Sequence, residues 1–280
     1  MIASADTTSS YDENIKKVDP DWKVVLPRRK RKNCQPKGSR LEQESKQQPW
    51  TPPDIEIDQE RESKLMQKID TSIKKLENSK FYDLFLNQIQ NPEVFGCFSG
   101  VLGSEPNMNM VVYGIGSVES YEDPRLQLSL AILMRKKFGW IGNIEVFDPI
   151  LSGTETRVLN SLGCSVITVN EEGRRRVSKP TLFFMPHCEA VLYHNLLQAN
   201  WDVKTVRNLV LFGNSFEAYE HHASVVKDYV ALPYTKRILV ARSFAKEFRV
   251  KADADDQSRA FHESSWHFFW PEHDQELAIV

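Results

Sequence analysis

From Met108 onward the chain alternates short apolar runs with longer stretches of helical period, and few folds are compatible with that alternation. The runs Met110 to Tyr113, Ile144 to Phe147, Val166 to Val169, Thr181 to Met185, Leu209 to Phe212 and Ile238 to Ala241 are each four or five residues long. Short, continuously apolar strands of this kind are buried on both faces, as happens where crossover helices cover a parallel sheet. The pattern predicts an α/β fold: a Rossmann-like, mostly parallel sheet of six strands with right-handed crossovers and helices on both faces. The sheet core is expected over about 108–242. The aromatic run Trp266-His267-Phe268-Phe269-Trp270 alternates like a further strand packing on the sheet.

Helix signals frame the sheet. Leu65, Ile69, Ile73 and Leu76 recur at intervals of four, four and three, which lines one face of a helix over about 58–78. Phe81, Phe85 and Ile89 repeat every four residues in a second helix, which Asn91-Pro92 should stop, since proline disfavours helical geometry in the residue before it. A third helix is expected to start at Asp123-Pro124, with Asp123 as its N-cap, burying Leu126, Leu130, Leu133, Met134 and Phe138.

Upstream of about residue 56 the character changes. Pro20, Pro27, Pro36, Pro49, Pro52 and Pro53 punctuate a polar, charged stretch with little to bury, so residues 1–56 read as a disordered arm and 57–280 as the folded domain. Residues 1–55 carry eleven Lys and Arg against eight Asp and Glu, leaving 25 against 30 in the remainder. The basic excess centres on Arg28, Arg29, Lys30, Arg31 and Lys32, a run that an import receptor or a phosphate backbone could bind and that equally suits a solvated surface. With a net charge of −2 and an acidic body, direct nucleic-acid binding is not expected. No apolar run approaches a signal core or the roughly 20 residues of a membrane span. Cys34, Cys97, Cys164 and Cys188 form no CxxC pair, which argues against a zinc module or disulfide framework and for a reducing compartment.

In open parallel sheets ligands sit beyond the carboxyl ends of the strands. The residues there are Gly114, Gly116 and Ser117, then Asp148, Asn170, His187 with Cys188, and Asn214 with Ser215. All are expected on one rim and are the candidate ligand-binding set. Gly114 and Gly116 would let backbone approach a phosphate, but Glu119 replaces the third glycine of GxGxxG and would repel it. Asp148 stands where an acid can bind ribose hydroxyls, or it simply caps a turn before Pro149. His187 and Cys188 are the only candidates for chemistry: a helix starting at Cys188 would favour a thiolate, yet adjacent side chains rarely form a nucleophile–base pair, so an inert cysteine is the competing reading. His187, His194, His221 and His222 have no metal-ligand spacing, and neither a metal nor a particular cofactor is indicated.

The segments Val112-Tyr113-Gly114-Ile115-Gly116-Ser117, Gln127-Leu128, Phe147-Asp148-Pro149, Phe184-Met185-Pro186-His187-Cys188, Asn200-Trp201 and Gly213-Asn214-Ser215-Phe216 together resemble the Sensitivity to Red Light Reduced family. The likeness spans about residues 57–242, and Asp21-Trp22-Lys23-Val24-Val25-Leu26-Pro27-Arg28-Arg29 resembles its plant branch. The resemblance implies a regulatory protein of phytochrome-linked light signalling and circadian clock input, affecting clock-controlled gene expression, in nucleus and cytoplasm, with protein partners. It carries over no catalytic residue. A transferase or hydrolase using a nucleotide-type cofactor at the same rim is the alternative.

Overall fold

Three helices precede the first strand: α1 (Gln59–Glu77), α2 (Lys80–Gln90) and α3 (Pro92–Leu102). There follow β1 (Met108–Tyr113), α4 (Glu122–Lys137), β2 (Ile141–Phe147), α5 (Gly153–Ser161), β3 (Cys164–Val166), β4 (Thr181–Met185), α6 (Ala190–Ala199), the single turn α7 (Val203–Val206) and β5 (Leu209–Asn214). The chain continues through α8 (Phe216–Val225), α9 (Thr235–Phe244), β6 (Ala245–Arg249), a 3-10 segment (Asp256–Phe261) and β7 (Ser264–Phe269). This computed structural model describes residues 49–225, 234–252, 255–273 and 277; the basic run Arg28 to Lys32 and the arm up to residue 48 lie outside the described residues.

The strands form one sheet in the order β3-β2-β1-β4-β5-β7-β6. β1 to β5 are parallel; β7 runs antiparallel to both β5 and β6. Side chains alternate across a strand, so each strand serves two cores. Met110, Val112, Phe184, Phe212 and Trp266 face the layer formed with α1 to α5, whereas Val111, Tyr113, Phe183, Met185 and Leu211 face α6, α8 and α9. The first layer is rich in rings: Phe81 stacks on Phe261 at 4.6 Å and Trp266 lies 4.7 Å from Phe212.

Local chemistry sets the helix ends. Asp58 caps α1 by accepting the Glu60 and Arg61 N–H groups at 2.7 and 3.3 Å. Asn91 ends α2, and Pro92 opens α3 at once: the proline expected as a stop is also a favoured first helical residue, because its missing N–H would have no partner there. α4 begins one residue before the expected cap. Tyr121 is its N-cap and makes no side-chain cap bond; Asp123 lies in the first turn with Pro124.

Two expected strands differ. The run Ile238 to Ala241 is helical, within α9; Thr235, Ile238, Ala241 and Phe244 recur every three residues and are buried. A short apolar run suits a strand or a buried helix equally until its neighbours are known. β3 ends at Val166, because beyond it the backbone turns to residues 49–50: Trp50 N–H donates to the Thr168 carbonyl at 2.8 Å, and Pro49 bridges Val169. Charged β6, with Lys246, Glu247 and Arg249, lacked any apolar-run signal. No described helix is long and apolar enough to cross a membrane.

Candidate functional site

The sheet order reverses between β1 and β4, the switch point at which a doubly wound sheet opens a crevice. Gly114 and Gly116 follow β1 with φ of +65° and +74°, a left-handed geometry that glycine adopts without the Cβ penalty. A Cβ on Gly114 would lie 2.6 Å from Cys188 Sγ, so the loops after β1 and β4 meet there in contact. Cys188 Sγ donates to the Tyr113 carbonyl at 3.2 Å.

Carboxylates hold this glycine loop from within the protein. Asp148, at the end of β2, accepts Gly116 N–H at 2.7 Å on one oxygen and Ile150 N–H at 3.0 Å on the other. Ser152 and Glu155 form a capping box at the start of α5, and the second oxygen of Glu155 accepts Ser117 Oγ at 2.8 Å and Glu119 N–H at 2.9 Å. Glu119 turns outward to a bidentate pair with Arg61, at 3.0 and 2.7 Å. That hydrogen-bonded pairing holds its carboxyl below the usual carboxylate range against partial burial. The backbone N–H groups of Gly116 and Glu119, which a phosphate would need, are therefore spent on Asp148 and Glu155. Because two buried carboxylates already face the loop, the residues do not fit a bound phosphate.

On the other side of the switch point His187 has φ +58°, a conformation costing a residue with a Cβ roughly 1–2 kcal/mol. Asn214 Oδ1 accepts its N–H at 2.7 Å, and its ring Nε2 lies 3.0 Å from the His262 carbonyl. Asn214 Nδ2 donates to the Cys188 carbonyl at 3.0 Å, and Asn214 N–H donates to the Tyr193 hydroxyl at 3.0 Å. Cys188 does not begin a helix: α6 starts at Ala190 with Glu189 as N-cap. Burial pushes the Cys188 thiol far above its ordinary value, and the charges of Asp148 and Glu189 push the same way. Cys188 therefore lacks the helix start that was expected to favour its thiolate, and its sulfur is buried near carboxylates.

Ser215 is fully buried, and its hydroxyl donates to Glu247 at 2.7 Å. Glu247 also accepts Glu217 N–H at 3.0 Å and lies 3.6 Å from His267. Burial alone would raise the Glu247 carboxyl, but hydrogen bonding and attraction from His267, with the Ser215 bond, hold it down to about 2. No nucleophile and base are paired here, since the carboxylate, not the imidazole, meets the serine.

At the rim Gly114 meets Cys188, Asn214 ties Cys188 to His187, and Gly116 is bonded to Asp148; Ser117 bonds to Glu155 and Ser215 to Glu247, while Asn170 accepts Glu172 N–H at 2.9 Å. Glu155, Tyr193 and Glu247 contact these residues directly and His267 stands behind Glu247; none of the four was foreseen. Only the Ser152 to Glu155 spacing, S-x-x-E before a helix, could have signalled one of them. Among the described residues no three His, Cys, Asp or Glu side chains are placed to hold a metal; His194 instead faces Arg237 at 3.1 Å.

The SRR1 domain family matches residues 86–268. The chain is 52% identical over 263 residues to the Arabidopsis thaliana Protein SENSITIVITY TO RED LIGHT REDUCED 1, covering 93% of this chain and 95% of that protein. It is 40% identical over 119 residues to the Mus musculus SRR1-like protein, covering 42% and 48%. Among solved structures, the 23S rRNA methyltransferase ErmE aligns over 66% of this chain and 70% of its own, with 9% identity and a TM-score of 0.32.

Proposed function

The chain belongs to the SRR1 domain family, and on that premise we propose that it is a regulatory protein of light signalling, acting through binding and not through catalysis. The observation that carries this reading is the 52% identity maintained over 93% of the chain to a relative named for reduced sensitivity to red light. Its finer content is a role in phytochrome-linked signalling and circadian clock input, with effects on clock-controlled gene expression. Presence in nucleus and cytoplasm goes with it, Arg28 to Lys32 engaging an import receptor, and the rim residues contacting a protein partner.

The test is complementation. Expression of the chain in Arabidopsis plants lacking their relative should restore the growth response to red light and the period of clock-controlled transcripts. Unrestored red-light growth, with the protein present at normal level, would overturn the reading. Alanine at Arg28 to Lys32 should deplete the nuclear pool, and an unaltered distribution would remove that role from the run.

The sheet order favours a second reading, an enzyme binding a nucleotide-type cofactor at the β1/β4 switch point. Against it stand the occupied N–H groups of Gly116 and Glu119. Thermal unfolding with nucleotides, methyl donors and haem precursors separates the two, since a ligand at 100 times its Kd adds about 2.7 kcal/mol.

A further inference from the structure

β6 closes the sheet on its antiparallel side, and among the described residues no strand pairs along its outer edge. The Val250 N–H donates to the Ser264 carbonyl at 2.9 Å, and the Trp270 N–H to the Phe244 carbonyl at 3.0 Å. Antiparallel pairing alternates, so Phe244, Lys246, Phe248 and Val250 direct their backbone groups at β7, while Ala245, Glu247 and Arg249 direct theirs outward. Gln88 answers one of these outward groups, donating to the Arg249 carbonyl at 2.7 Å; its own Oε1 is buried without a partner.

Beside this edge lies a cleft of about 350 Å³, lined by Leu84, Phe85, Gln88, Val94, Phe248 and Lys251 among others. Its apolar floor is the ring-rich layer under Phe85 and Phe248. Arg249 and Lys251 are exposed and form no ion pair among the described residues, whereas Lys246 pairs with Glu93 at 2.7 Å; of the other acids nearby, Glu247 is turned inward to Ser215 and Asp255 accepts the Phe81 and Ser258 N–H groups at 2.8 and 3.1 Å, with exposed Asp256 beyond it. Extended edges of this kind bind peptides by adding a strand, with backbone bonds supplying affinity and pockets for alternate side chains supplying selectivity.

We propose that the outer edge of β6 receives an extended acidic and apolar segment of a partner protein by strand addition. The segment pairs with Ala245 and Glu247, places one branched aliphatic side chain in the cleft, and sets its carboxylates against Arg249 and Lys251. The edge shares only Glu247 with the rim, and there the Glu247 side chain turns to Ser215 while its backbone faces outward, so the proposal stands whether or not the rim binds anything.

The test uses the full chain and a fluorescein-labelled peptide of alternating glutamate and isoleucine, read by fluorescence anisotropy. Binding is expected to weaken about tenfold or more when lysine replaces glutamate in the peptide. A similar loss is expected when amides on one side of the peptide are N-methylated, and no loss when the other side is methylated, since only one side meets the edge. R249E with K251E, both exposed, should weaken binding at an unchanged melting temperature. No binding by the acidic peptide, equal binding by all peptides, or binding indifferent to the double substitution would overturn the proposal. So would a concentration-dependent dimer that excludes the peptide, which would assign the edge to a second copy of the chain.

Discussion

The rim at the ends of β1, β2, β4 and β5 and the outer edge of β6 are both places where a sheet leaves backbone groups unpaired, yet the chain treats them oppositely. At the rim, Asp148, Glu155 and Asn214 accept the loop N–H groups of Gly116, Glu119 and His187, and the sulfur of Cys188 fills the gap beside Gly114. At the edge, one side-chain amide from Gln88 is the only described bond to an outward group. Buried polar groups must be satisfied, and at the rim the protein satisfies them itself. The crevice most often used in such folds is therefore braced from inside, while the edge retains unused bonding capacity.

The contrast is most easily broken at Gly114. Gly114→Ala adds a left-handed penalty and a contact on Cys188 Sγ, a combined loss of about 4 kcal/mol in urea unfolding. Adding Cys188→Ala should recover part of it, because the two sites share the contact. Additive losses would mean that the rim is not packed through that sulfur.

Glu247 tests the bracing through pH. Its folded pKa of about 2 lies below the ordinary 4.5, so the stability it contributes is lost as pH falls from 4.5 toward 2. The interval corresponds to about 3 kcal/mol. Glu247→Gln should destabilise the chain and show a flatter acid limb in unfolding measured across the interval. A parallel profile would detach Glu247 from the network.

Asp148→Ala removes the acceptor of two backbone N–H groups and should cost about 2 kcal/mol in the same assay. The parent should not be stabilised by a nucleoside diphosphate, since Asp148 and Glu155 hold the loop donors; a raised melting temperature would abolish the distinction between rim and edge. The smallest effect belongs to the edge. Arg249→Ala or Lys251→Ala should change stability by less than about 0.5 kcal/mol, as exposed positions do, and a larger loss would make the edge part of the scaffold.

Much of this was legible before any coordinates. The parallel strands stand out because each is a self-contained apolar run, and α1 and α2 because their apolar residues keep one face. α3 was hidden by Pro92, which reads as a stop although it equally begins a helix. β6 was hidden because edge strands carry charge to deter association, so Lys246, Glu247 and Arg249 resemble a loop. The rim residues could be named from strand ends alone, but not their bonds, and whether Cys188 stood at a helix start or was buried could not be read from its neighbours.

What the chain encodes locally is the identity of its buried strands and helix faces, since periodicity and capping act over a few residues. What required the tertiary structure is who satisfies whom: Gly116 with Asp148, Glu119 with Glu155, His187 with Asn214 and Ser215 with Glu247, pairs separated by 27 to 36 residues. Such bonds depend on strand order and on which edge stays open, and those follow from the packing of the whole sheet between its two helical layers.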